Sequence, residues 1–288
     1  MIYLVGSIFL TAYLTISFKI CERLGINTQR AIVINYLCAF LTGLFMASDI
    51  PPAGEIIRMD WLPWAILMGA IFVSFFNLIA LTVKKNGVAV ASVATKLSLV
   101  IPFVFSIFLY NEPAGWVKLL GVAIALAGVV LTCYPAGGFR GSAGILLLPG
   151  IVFIGTGILD TIIKYTEQRY VDPSNQDIYL ATCFGFAFLA GLVVMLARMI
   201  TKREMLNGKE ILAGIAIGIP NYFSIWCLVK VLKEFPDDSS VILPVNNIGI
   251  LLVGTLVAAF AFREKLTVVN IIGIFLAILS IILISVSL

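Results

Sequence analysis

Histidine is absent from this chain, which removes the commonest metal ligand and the usual proton shuttle. Charge is scarce as well. Asp, Glu, Lys and Arg make up 12% of the 288 residues, against roughly a quarter in a soluble domain. The five cysteines (Cys21, Cys38, Cys133, Cys183, Cys227) form no CxxC pair, so neither a disulfide framework nor a zinc site is indicated. No long basic run accompanies the net charge of +4, which leaves nucleic-acid binding without support. No ATP-binding loop, GxSxG or paired acidic motif occurs within the apolar segments. Metal and cofactor sites are therefore not expected.

What is present is apolar: 61% hydrophobic residues and a mean hydropathy of +1.11. Water cannot solvate so much apolar surface, so the solvent must be lipid. Ten windows have the roughly 20 residues a spanning helix needs. They cover about 2–19, 31–48, 62–83, 88–109, 115–134, 143–164, 177–199, 210–232, 239–261 and 266–286. The first has neither a charged leader nor a cleavage site and reads as a membrane helix. The predicted fold class is an all-α membrane protein of ten transmembrane helices joined by short loops.

The two halves resemble each other. "TAYLTISFKICE" (11–22) aligns with "TGILDTIIKYTE" (156–167), "AFLTGL" (39–44) with "AFLAGL" (187–192), and "FLYNEPAGWVKLLG" (108–121) with "FAFREKLTVVNIIG" (260–273). The offsets are 145, 148 and 152, growing only across loops. Three collinear matches that include charged residues indicate duplication. Five helices per half is an odd number, so the second half must enter the membrane in the opposite sense. This predicts an inverted repeat, with residues 1–135 as the first five-helix unit, 136–142 as the connection and 143–288 as the second. That architecture is typical of transporters, with the substrate site near the midplane.

Ten spans in two fives, each with a glutamate at the end of its fourth helix followed by a polar turn and a Gly-bearing helix, resemble the drug/metabolite transporter superfamily and its EamA-like branch. The carrying stretches are "LYNEPAGWVKLLG" and "AFREKLTVVNIIG". The resemblance implies a carrier that moves a small organic solute across the cytoplasmic (inner) membrane by alternating access. Two departures stand out. The family's usual glycine before the glutamate is Asn111 in one half and Arg263 in the other, and its common tryptophan in helix one is Tyr13.

Lys96 lies about nine residues, roughly 12 Å, inside the fourth span. Its stem either snorkels toward the "KKNG" loop or places the ammonium in a wet cavity. The repeat offset sets Asn247 opposite Thr95, so Asn246 and Asn247 in "PVNNIG" share the depth of Lys96. Those amides either line the cavity or hydrogen-bond between helices, and Pro244 removes a backbone donor beside them. Asn221, Tyr222 and Trp226 in "GIPNYFSIW" form a weaker pocket candidate, with packing as the alternative, and Asn77 is a lone amide in the third span. Asp160 is the coupling candidate or the partner of a substrate amine, although Lys164 four residues on offers a local ion pair. Glu112, Glu264, Gly121 and Gly273 read as architectural, each glutamate favouring the positive N-terminal end of the helix that follows it. "DDSS" (237–240) reads as a helix cap.

Twelve Lys and Arg residues fall in odd-numbered loops and six in even-numbered ones. The positive-inside rule then puts the termini outside. The family resemblance implies the opposite, and both orientations stay open. The expected function is secondary transport of a small metabolite: an amino acid, nucleoside, sugar derivative or drug-like solute. A fixed positive charge favours an anionic or zwitterionic substrate, and H+ or Na+ is the candidate coupling ion. Membrane lipid is the other expected partner. An intramembrane lipid-modifying enzyme and a non-transporting scaffold are the competing readings. The first lacks a convergent set of catalytic groups, and the second has no need of polar residues at mid-membrane depth.

Overall fold

The computed structural model describes residues 1–47, 50–101, 116–134, 144–171, 175–202, 206–234 and 239–286. Among these residues the regular structure is entirely helical: α1 (Ile2–Arg23), α2 (Thr28–Met46), α3 (Ala53–Ile56), α4 (Leu62–Asn86), α5 (Val88–Leu97), α6 (Trp116–Thr132), α7 (Gly144–Tyr170), α8 (Gln176–Lys202), α9 (Gly208–Glu234), α10 (Ser239–Phe260) and α11 (Val268–Val286). Six are long and apolar enough to cross a membrane, and four shorter apolar helices accompany them. The helix α3, in the loop after the second span, was not predicted. Glu112 and the connecting residues 136–142 lie outside the described residues.

Helices are the only open-ended way to cross lipid, because each satisfies its own backbone groups. Between them there is little hydrophobic drive, since lipid tails are as apolar as leucine. Association therefore depends on close approach at small residues and on a few polar contacts. The chain packs as two compact units, each using helices from both halves of the sequence.

The first unit contains Met1–Lys19, Leu78–Asp160 and Ser224–Leu288. Here α5 packs against α10 and α6 against α11. Both pairs run antiparallel. Ser92 faces Gly254 while Val88 reaches Glu264, and Gly128 faces Ala277 while Thr132 meets Gly273. A Cβ on Gly273 would lie 2.4 Å from the Thr132 amide nitrogen, so only glycine allows this approach. The core they share includes Val93, Leu97, Ala125, Phe153, Leu251 and Ile281.

The second unit contains Ile20–Asn77 and Thr161–Phe223. In it α2 and α8 pack closely and antiparallel. Gly43 lies against Ala181 and Gly191 against Val33. Gly43 and Gly191 are 148 residues apart, as are Val33 and Ala181, so one contact is the image of the other. Gly69 against Phe186 and Gly218 against Cys38 make a second reciprocal pair at offsets of 149 and 148. Tyr36 anchors an aromatic cluster with Phe72, Phe76 and Phe184, and its hydroxyl donates to the Phe72 carbonyl at 2.9 Å.

Glu264 departs from the expectation that it serves the helix following it. Its carboxylate instead accepts from the backbone N–H of Val88 at 2.9 Å and Ala89 at 3.4 Å, at the N-terminus of α5. A carboxylate there meets two orphan donors and the positive end of the helix dipole. Gly87, at φ +94°, passes so close that a Cβ would lie 2.7 Å from a Glu264 oxygen. The preceding residue, Arg263, has φ +54°, in the left-handed region that glycine enters freely. The local geometry thus accounts for a glycine at this position in the related motif. We expect Arg263→Gly to raise stability by about 1 kcal/mol and Glu264→Ala to lower it by about 1–2 kcal/mol. Unfolding of the purified variants in mixed micelles measures both.

Candidate functional site

The helical run of the fourth span stops just beyond its lysine. α5 ends at Leu97, Ser98 and Leu99 form a turn, and helix resumes at Val100. The Ser98 carbonyl accepts from the Ile101 amide at 2.9 Å, a contact one residue shorter than the α-helical one. Residue 102 is proline and has no N–H to give that carbonyl. Sequence reasoning weighed Pro244 and passed over Pro102, although the signal was of the same kind.

Lys96 and Asp160 interact electrostatically across α5 and α7, both half-buried within the first unit. The Ser98 side chain is a further electrostatic neighbour of the Asp160 carboxylate. The Ser98 hydroxyl also lies 2.6 Å from the Thr95 carbonyl, to which it donates. A hydroxyl has one proton and two lone pairs. With that proton on the Thr95 carbonyl, the Ser98 lone pairs are left to accept from a donor. One turn before Asp160, the Thr156 hydroxyl is buried with no hydrogen-bond partner among the described residues. Gly157 allows the approach of α7, since a Cβ on it would lie 2.5 Å from Ile101.

Other predicted residues are distributed as follows. Asn246 on α10 is 3% exposed, and its carbonyl oxygen has no partner among the described residues. Asn247 beside it and Tyr13 on α1 are half-buried. Trp226 packs edge-on against Tyr3 with ring centroids 5.7 Å apart, and the Lys230 ammonium stands 5.3 Å above its ring. All six of these residues belong to the first unit.

Asn221, Tyr222 and Asn77 belong to the second. The Asn221 amide donates to Asn35 Oδ1 at 3.1 Å in a fully buried bond between α9 and α2. Tyr222 is buried, its ring edge against Gly43. Asn77 lines a cleft of about 210 Å³ with Asn27, Gln29, Arg30, Ser74 and Arg198. Arg30 is held by Glu210, its Nη1 lying 3.0 and 3.2 Å from the two carboxylate oxygens. Sequence reading placed Arg30 and Arg198 in loops as topology markers and missed the cleft. A cation two residues inside one span and another four residues from the end of a second were its available signal.

Removing one member of a half-buried pair leaves the other charge uncompensated, which costs more than removing both. Lys96→Met and Asp160→Leu should each destabilise the protein, and the double variant should recover most of the loss. A double-mutant cycle in detergent should give a favourable coupling of about 1–3 kcal/mol.

A protein of Haemophilus influenzae, described only as an uncharacterized protein, is 25% identical over 281 residues, covering 94% of this chain and 93% of its own length. A solved crystal structure matches with a TM-score of 0.63 at 16% identity, covering 98% of this chain and 94% of that one, a likeness of fold. The model of the EamA-like transporter family matches residues 1–134. Multiple apolar helices make the chain a multi-pass integral membrane protein, and its residues 1–134 are similar to the EamA-like transporter family.

Proposed function

We propose that the protein is a secondary transporter of a small zwitterionic or anionic organic metabolite, built from two inverted five-helix repeats and acting by alternating access in the cytoplasmic membrane. The single observation that carries this reading is the Lys96–Asp160 pair beside the break in α5. Opposite charges at this depth hold each other while no solute is bound. A zwitterion brings a carboxylate for Lys96 and an ammonium for Asp160, so it exchanges one pair for two without leaving a bare charge in lipid. The interruption of the helix beside the pair resembles the broken helices at transporter binding sites.

Support for the repeat comes from the antiparallel packing of equivalent spans: second with seventh, fourth with ninth, fifth with tenth. The repeats run over residues 1–135 and 143–288, and transport rocks one against the other. With no nucleotide-binding loop, the driving force is a gradient. Asp160 is the coupling group. A proton on it competes with the solute's ammonium for the same carboxylate, while Lys96 holds the solute's carboxylate.

Reconstitution into proteoliposomes and uptake of a labelled panel of amino acids, organic acids and nucleosides tests the reading. Lys96→Ala should lower uptake of the accepted solute at least about tenfold, the loss of one charge-assisted contact, while Lys96→Arg keeps part of it. Asp160→Asn should abolish accumulation driven by a proton gradient and leave downhill exchange measurable. Normal insertion of Lys96→Ala with uptake undiminished for every solute would overturn the proposal.

A further inference from the structure

The cleft of the second unit combines two chemistries that no single simple ion satisfies. Its mouth is set by the start of α2 and the last turns of α8, through Asn27, Gln29, Arg30 and Arg198. Spanning helices meet the headgroup layer at such ends. Arg30 is held by Glu210, whereas among the described residues no carboxylate pairs with Arg198. Arg198 donates from Nη1 to the Gln29 side-chain oxygen, which fixes the guanidinium and leaves its other donors available. An Arg fork of this kind matches a phosphate better than a point charge does.

Deeper in the cleft the requirement reverses. Asn77 donates from Nδ2 to the Val73 carbonyl at 2.7 Å, and its Oδ1 is buried with no donor among the described residues. A buried acceptor left unmet is costly, so the complementary group is an O–H or N–H. Between these ends the walls are apolar: Val33, Val73, Val194 and Met195. Val194 is 57% exposed on the outer surface of α8, where Val193 and Ile200 are also open to lipid.

We propose that this cleft binds a phosphate ester bearing a free hydroxyl. The phosphate sits on Arg198, the hydroxyl donates to Asn77 Oδ1, and the apolar portion leaves past Val194. That chemistry has two sources, the headgroup of a phosphatidylglycerol-like lipid and a soluble polyol phosphate. The exposed apolar wall favours the lipid. The site does not rest on the transport reading, and Lys96→Ala should bind the same ligand unchanged.

The test is thermal unfolding of the purified full chain in a neutral detergent, titrated separately with four probes. These are dihexanoyl-phosphatidylglycerol, dihexanoyl-phosphatidylcholine, sn-glycerol 3-phosphate and inorganic phosphate. The glycerol lipid should stabilise saturably and the choline lipid at least about fivefold less tightly, since it has no hydroxyl to donate. Arg198→Gln should weaken the glycerol lipid roughly tenfold and Asn77→Leu roughly threefold or more, with Arg198→Lys recovering part of the loss. Equal binding of glycerol 3-phosphate, with the same dependence on both residues, supports the chemistry and assigns it to a soluble ester. Saturation by inorganic phosphate with no effect of Asn77→Leu would overturn the hydroxyl contact. Glycerol-lipid affinity unchanged by Arg198→Gln in a folded variant would overturn the site.

Discussion

A charge placed within lipid has to be answered from inside the protein, because no water is there to answer it. Everything else about this molecule is arranged around that constraint. Lys96 is answered by Asp160, Asp160 by Ser98, and Arg30 by Glu210. Each pair joins helices distant in sequence, so charge compensation and tertiary structure are the same contacts. Such pairs add little net stability over a well-packed apolar alternative.

Packing solves the complementary problem. Without a hydrophobic drive between helices, close approach must come from shape, and glycine supplies it at reciprocal positions. The contacts Gly43–Ala181 and Gly191–Val33 are related by one offset of 148 residues. Asn35–Asn221 then adds a polar tie in the same unit, buried where an unpaired amide would be costly.

Much of this was legible from the residues alone. The helices were visible as apolar windows. What the sequence could not show was pairing at long range. Asp160 has an electrostatic partner in Lys96, 64 residues upstream, which spacing alone gave no reason to expect. Glu264 was recognised as a carboxylate for a helix N-terminus, but the helix it serves is α5 and not the next one in the chain. Arg198 was counted only for its sign, since a cation near a helix end is the rule in membrane proteins. The break after Lys96 was readable in principle, because a proline at position 102 leaves the Ser98 carbonyl without its usual donor.

The clasp of Glu264 on the start of α5 also has a bearing on biogenesis. The two ends of that contact are 176 residues apart. At a synthesis rate of about 5–20 residues per second, the fourth span waits on the order of ten to thirty seconds before the group that finishes its first turn has been made. Throughout that interval its leading amides must be satisfied by headgroups, by water or by the insertion machinery. The nascent first half is thus an incomplete object in the bilayer, and the late-made half supplies its final lock.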